Sequence, residues 1–419
     1  MATGLSPSHV IEKLQNAGER TARALNFTST PLLINGSRVQ AIDFAGLMRA
    51  GPAIEIEIAP KFLGGQSDSW REDFFFLAML SKHGRLLGTE RLRALSSSNS
   101  DFATLVARAL VQMFWDQHRR PIRTFRRQVV REFALEGDID AEELRVPNED
   151  GFAQTVVRFD RVNPFNAAIK AAAIDLVPIV RDAEVRANLG RIANYLGEQA
   201  PPRGLYKRRL PSRARSWQST FDLALDVLQG FGLTYESGKA LAPGFVLNTW
   251  RVWEDLVTVS LRANLGGQAV ASQKGIHLGH RQRQSDDGSS IRRSFEVTPD
   301  LRVDGSKAGF GEILVDAKYK GRWDSGKQRI AEADVYEAMA FARAARASQV
   351  ILVHPKIARD AVTKTGTAGV FERVDVDELQ IWGIEVEVRG IAKIGGLRAF
   401  ADGLVDQLRT IHALSKANP

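Results

Sequence analysis

The chain has no cysteine in its 419 residues. Disulfides, Cys-ligated zinc and iron–sulfur clusters are therefore excluded. No apolar run is long enough to span a bilayer. The first residues, MATGLSPSHVIEKLQNAGER, lack the basic start and apolar core of a signal peptide, which points to a cytoplasmic protein. No GxxxxGKS/T is present, so any nucleotide hydrolysis linked to this chain has to come from a partner. Internal repeats and low-complexity tracts are also missing. No Ser-His-Asp or Cys-His arrangement stands out, and His277 and His280, three apart on a strand-like stretch, are poor zinc ligands without others beside them.

What remains is a soluble composition long enough for two or three domains. Lys and Arg number 57 against 49 Asp and Glu, a net charge of +8 that suits a polyanionic partner. The pattern is α/β (α+β). Helical spacing runs over Ser8–Leu25, with Val10, Leu14, Ala17 and Ala22 on one face. PLLINGSRVQAI holds a hairpin signal at Asn35-Gly36, and IEIEIAPKF alternates as a half-buried strand. WREDFFFLAML and Asp101–Trp115 are helices, the latter capped at Ser100 or Asp101; Phe74, Phe75 and Phe76 read as core. HRRPIRTFRRQVVREF is basic with apolar residues interleaved. It is either a surface for nucleic acid or an acidic partner, or a strand pair with one solvated face. Asn163 and Pro164 mark the start of an Ala-rich helix. Residues 201–216, rich in Pro, Gly and Arg, are the expected boundary between an N-terminal region, 1–200, and a second domain, 217–419. The arginines of this stretch either contact phosphates or are simply solvated.

The second domain holds the chemistry. Phe245–Leu261 reads as one helix with Glu254 toward the edge of its buried stripe. Strands follow over Gln268–Leu278 and Ile291–Val297, the second continuing into TPDLRV, then a strand from Glu312 to Tyr319. An Ala-rich helix, Ala331–Ala347, the buried strand QVILVHP, the alternating GIEVEVRGI and an amphipathic C-terminal helix complete it. Successive side chains of a strand point to opposite faces, so Asp316 and Lys318 share one face and Val315, Ala317 and Tyr319 the other. If the two strands pair as a hairpin, Asp300 comes alongside Asp316. Two carboxylates can hold Mg²⁺, which polarises a phosphodiester and lowers the pKa of a bound water. A neighbouring lysine offsets developing charge.

Pro299-Asp300 followed by Asp316-Ala317-Lys318 resembles the PD-(D/E)xK nuclease superfamily, and the element order is similar to its αβββαβ core. The wider chain resembles the McrC family, nuclease subunits of modified-cytosine restriction systems. The likeness is carried by IEIEIAPKF, RFDRVNPFNAAIKAA, NTWRVWEDLVTVSL with its Trp253-Glu254 pair, TPDLRV and ILVDAKYK. ADVYEAMAFARA resembles a helix that usually reads Tyr-Gln; here it is Tyr336-Glu337, a departure. The resemblance implies an N-terminal mixed β/α region that docks on an McrB-like AAA+ NTPase ring. A restriction-endonuclease-like domain, a central mixed sheet flanked by helices, then cuts double-stranded DNA in phage defence. It also implies Asp300 and Asp316 as ligands of Mg²⁺, or of Mn²⁺ in its place, with the Ala317 carbonyl as a third. Lys318 would position the water, Glu254 would bind metal or cap the packing, and Glu337 would take the supporting place of the glutamine. A stand-alone repair or recombination nuclease, or a non-catalytic activator of an NTPase, are the alternatives.

Overall fold

A computed structural model describes residues 7–25, 27–35, 38–51, 54–64, 70–83, 102–139, 142, 149–202, 208–228, 245–284, 290–320, 322–324, 327–357 and 363–417. The Asn35-Gly36 turn, the Asp101 cap, Lys207 and most of the polar tip after Gln284 lie outside them. Among the described residues no helix is long and apolar enough to cross a membrane.

The chain divides into two compact units whose segments alternate along the sequence. The first comprises Met1–Ala24, Met48–Ile56 and Ser100–Phe245, the second Leu25–Leu47, Glu57–Asn99 and Val246–Pro419. The expected division at 201–216 is not where the structure divides. Ser212–Trp217 is a 3-10 turn with Ala214 and Trp217 buried, and Trp217 donates Nε1–H to the Arg120 carbonyl at 2.6 Å. Its Pro/Arg composition imitates a linker, but the tryptophan anchors it in the first unit. Residues 57–99 in turn belong with the C-terminal half. Asp73 accepts backbone N–H groups from Gly390 and Ala392 at 2.7 and 3.0 Å.

The first unit pairs Thr124–Glu132 with Phe152–Asp160 in an antiparallel sheet, beside helices Phe102–Gln117, Pro164–Leu176, Ala183–Leu196 and Gln218–Leu228. Asn163 caps the second helix as expected, its Oδ1 accepting from Phe165 N and Asn166 N, and Pro164 occupies the first turn, where a missing N–H costs nothing. Phe114 and Trp217 pack edge to face at 5.3 Å in the core. One sheet face stays in solvent, with Phe125, Val129, Val157 and Phe159 exposed among the arginines.

In the second unit we label helices α1 (Trp70–His83), α2 (Thr249–Leu265), α3 (Glu332–Ala345) and α4 (Gly396–Ala417). Its labelled strands are β1 (Val270–Ser272), β2 (Ile276–Gln284), β3 (Ser290–Val297), β4 (Leu301–Asp304), β5 (Glu312–Ala317), β6 (Gln349–Pro355), β7 (Ala368–Val376) and β8 (Leu379–Val386). One sheet runs β7-β8-β6-β5-β4-β1, with β5, β6 and β8 parallel and the outer pairs antiparallel. Every residue of β6 is buried, as a strand covered on both faces requires. The alanine stripe of α3 (Ala338, Phe341, Ala342) packs on Leu314, Val350, Leu352 and Ile381. On α2, Trp253 meets Phe62 and Phe400 at 6.0 and 5.9 Å.

Several boundaries differ from the sequence reading; Gln268–Leu278, expected as one strand, is split between β1 and β2. Phe245 is not helical: Phe245–Asn248 is a strand, and Asn248 caps α2 by accepting from Trp250 N. Nor does β3 continue into β4. Thr298, Pro299 and Asp300 break the run, because proline has no N–H for a ladder. As a result β2 and β3 form a two-stranded ribbon of their own, and β1 takes the third place in the sheet.

Candidate active site

The site begins with strand register. β4 and β5 pair antiparallel with Leu301 opposite Val315. One further step in that register sets Asp300 opposite Asp316, the hairpin that the sequence required. Asp300 Oδ2 accepts the Ala317 N–H at 2.8 Å, which closes the pair where Pro299 has ended the ladder. Lys318 leaves β5 but stays fixed, donating its N–H to the Val353 carbonyl at 2.9 Å. That carbonyl also accepts Trp253 Nε1–H at 2.9 Å, so one β6 oxygen ties α2 and the end of β5 together.

Asp316 is only 4% exposed. The Lys318 ammonium lies 2.6 Å from its Oδ2, 2.6 Å from Glu337 Oε2 and 3.6 Å from Asp334 Oδ1. Burial alone would discharge the lysine, but the surrounding carboxylates, Asp316 foremost, raise its pKa well above the ordinary value. It is therefore a fixed cation and a hydrogen-bond donor, not a base. Glu337 reaches it because the small residues of α3 let that helix lie close over β5 and β6. Tyr336, on the neighbouring side of the same helix, remains exposed. Asp334, one turn before Glu337, was not singled out from sequence, although an acid three residues before another on a helix shares its face.

Asp300 has its pKa pushed above the usual carboxylate range by burial, and then by the charges of Asp316 and Glu254; the Ala317 N–H works in the other direction. Glu254 is also raised, first by burial, with the Gln273 hydrogen bond opposing. It is buried, at 9% exposure. Gln273 is the residue that sequence reasoning missed altogether. Its Nε2 donates to Glu254 Oε1 at 2.6 Å and its backbone N–H to the Asp300 carbonyl at 2.9 Å, from a left-handed φ of 47°. No spacing or motif marks it. His354, at the end of β6, is fully buried with neither ring nitrogen hydrogen-bonded among the described residues, and burial lowers its pKa to about 3. Its ring is neutral beside the Lys318 cation.

The structure thus brings together Asp300, Asp316, Lys318 and Glu337, with Glu254 close enough to act on Asp300 through its charge. Among the described residues no three His, Asp or Glu side chains converge tightly enough to hold an ion unaided. Two carboxylates are nonetheless the donor set that a hard, water-retaining divalent cation uses. Their mutual repulsion, visible in the raised Asp300, is what such a cation relieves.

The family model described as McrBC 5-methylcytosine restriction system component matches residues 39–355. Among solved structures, one match is a chain of the refined half-complex from a tetradecameric assembly of Thermococcus gammatolerans McrB AAA+ hexamers with bound McrC. The TM-score is 0.66 at 15% identity, covering 96% of this chain and 96% of that one. At that identity the likeness concerns the fold. A chain of the cryo-EM structure of the Thermococcus gammatolerans McrBC complex matches at TM-score 0.49 and 14% identity over 61% of this chain and 80% of that one, too loosely to carry an argument. No curated protein matches.

Proposed function

The chain belongs to the McrBC 5-methylcytosine restriction system component family, and we propose that within it the chain is the metal-dependent DNA endonuclease subunit of a cytoplasmic complex with an AAA+ NTPase ring. The observation that carries this reading is the hairpin register that sets Asp300 opposite Asp316, with the Lys318 ammonium 2.6 Å from Asp316.

In this reading Asp300 and Asp316 would hold Mg²⁺, with the Ala317 carbonyl as a third ligand. When bound, the metal supplies Lewis acidity and a water of lowered pKa. Asp300 gives up its proton on binding, since only the carboxylate is a ligand. Lys318 Nζ donates toward the attacking water or the scissile phosphate and offsets negative charge that grows in the transition state. Glu337 and Asp334 hold that ammonium in place. Glu254, held by Gln273, contributes negative charge near the ligands.

The partner follows from two facts. The chain has no P-loop, and the solved structure that resembles it contains McrB AAA+ hexamers with bound McrC. The docking role expected of residues 1–200 falls, in this reading, to the first unit. The test is plasmid cleavage with Mg²⁺ by the complex of this chain with an McrB-like AAA+ NTPase. Cleavage that needs both proteins and NTP, and disappears with Asp316→Ala, supports the reading. Cleavage by the chain alone favours a stand-alone nuclease, and undiminished cutting by Asp316→Ala refutes the site.

A further inference from the structure

The β2–β3 ribbon is not used by the site just described. It pairs only with itself, outside the six-stranded sheet. The register places Arg281 opposite Arg293 on one face and Gln282 opposite Arg292 on the other. His277 and His280 add to the second face, where Arg292 Nη2 meets His280 Nδ1 at 3.1 Å. Arg281, Arg283, Arg293, His277 and His280 are all exposed. Among the described residues no carboxylate pairs with Arg281, Arg283 or Arg293. Arg281 is stiffened over the Phe295 ring, 4.1 Å from its centroid. The ribbon rests on α3 at its base, and Arg281, Arg283 and Arg293 crowd one of its faces with Glu296 on the other; the mutual repulsion of the three arginines is what a polyanion would relieve.

We propose that this ribbon lies in the major groove of the DNA duplex whose phosphodiester is presented to Asp300 and Asp316. The inference rests on the endonuclease reading for the location of the scissile bond. The major groove, about 12 Å wide, admits a two-stranded β-ribbon. Nine residues of β2 extend about 30 Å, close to one turn of B-DNA at roughly 34 Å. Cations on both faces match a groove with a phosphate wall on each side; a flat acidic protein surface would engage one face only. The ribbon is also continuous with the site. Val297 at its base packs on the α3 core, and Asp300 follows three residues later, a reach of about 10 Å. A duplex gripped by the ribbon is therefore gripped next to the carboxylates. The contacts are to phosphates, so they position the duplex without choosing its sequence.

The experiment is fluorescence anisotropy of a 30-base-pair duplex with the full chain in EDTA, across a series of KCl concentrations. The quadruple variant Arg281→Gln, Arg283→Gln, Arg292→Gln, Arg293→Gln is compared with the parent and with the same four positions changed to Lys. We expect the Gln variant to bind at least tenfold more weakly at moderate salt. Its slope of log K against log salt should be shallower by about 3 to 4, at roughly 0.9 for each phosphate that is no longer neutralised. The Lys variant should keep the parent slope. A competitor experiment on the parent needs no variant: a minor-groove ligand should leave binding in place and a major-groove ligand should displace it. An unchanged slope in the Gln variant, a parent that binds no duplex, or displacement by the minor-groove ligand overturns the proposal. So does a Gln variant that keeps DNA but loses the AAA+ ring, which would make the ribbon a protein contact. Ribbon-dependent binding without cleavage by the complex would instead sink the endonuclease reading and leave only the ribbon's seat in the major groove standing.

Discussion

Two sheets of this protein end in opposite conditions. In the second unit β6 is buried at every position, between parallel partners on both sides. In the first unit the strand Thr124–Glu132 leaves Phe125 at 70% and Val129 at 73% exposure, with arginines between them. The difference shows where precision is needed. A carboxylate pair can be held in one geometry only if the strands beneath it cannot slide, and burial of both faces fixes register because a one-residue slip turns every side chain over. A sheet with a wet face tolerates more.

The sharpest way to break the comparison is at the site itself. Asp316→Ala and Lys318→Ala should each lower cleavage by the complex about a hundredfold to a thousandfold, as the loss of a fixed charge at the reacting phosphate does elsewhere. Circular dichroism should remain that of the parent. Next in size is the buried sheet. Ile381→Ala, at a fully buried position against α3, should cost about 2–5 kcal/mol in urea unfolding. If it costs no more than Val129→Ala in the wet sheet, the contrast is empty.

A third expectation concerns Glu337. Glu337→Gln keeps an oxygen for the Lys318 ammonium and should cut like the parent. Glu337→Ala removes it and should lower the rate by about threefold to tenfold, the worth of one hydrogen bond of roughly 1 kcal/mol. Equal rates for all three would reduce the position to helix surface.

Asp300 gives a pH signature. Its folded-state pKa lies above its unfolded value of 3.8. The folded state therefore binds more protons than the unfolded one between those values, and stability falls as pH rises through that window. In EDTA, Asp300→Asn should escape this loss, so the variant gains on the parent as pH climbs and the gap then levels off. Metal binding should release a proton, read as a dependence of calorimetric heat on the buffer's ionisation enthalpy. A parent whose stability is flat across that window would mean that Asp300 is not crowded by Asp316. The smallest effect is expected at Val129→Ala itself, within about 0.5 kcal/mol.

How much of this could be read beforehand follows the same contrast. Alternation made β4 legible and a short apolar run made β5 so, and with them Asp300, Asp316 and Lys318. The family resemblance was carried by those same strands. Composition misled where it stood in for structure. The Pro/Arg stretch before Trp217 looked like a linker because burial of one tryptophan leaves no trace in a charge count. The break at Pro299 was visible as a residue but was overridden by the alternation on either side of it. Helix geometry brought Glu254 to the buried stripe but could not supply Gln273, whose partner lies 19 residues away and whose backbone conformation no local pattern announces. Asp334 had a signal, the i, i+3 pairing with Glu337, which passed unused.

The Val353 carbonyl, which accepts from both Lys318 and Trp253, has a consequence in time. A ribosome delivers Asp300, Asp316 and Lys318 well before it delivers β6, and β6 must then wait for β8, its other parallel neighbour, some thirty residues later. Parallel pairing of this kind closes late, because distant segments have to meet before either is rewarded. A half-made chain therefore carries Asp300, Asp316 and Lys318 on the β4–β5 hairpin before β6 is there to pair with it. The site is therefore complete only once β8 has emerged to pair with β6.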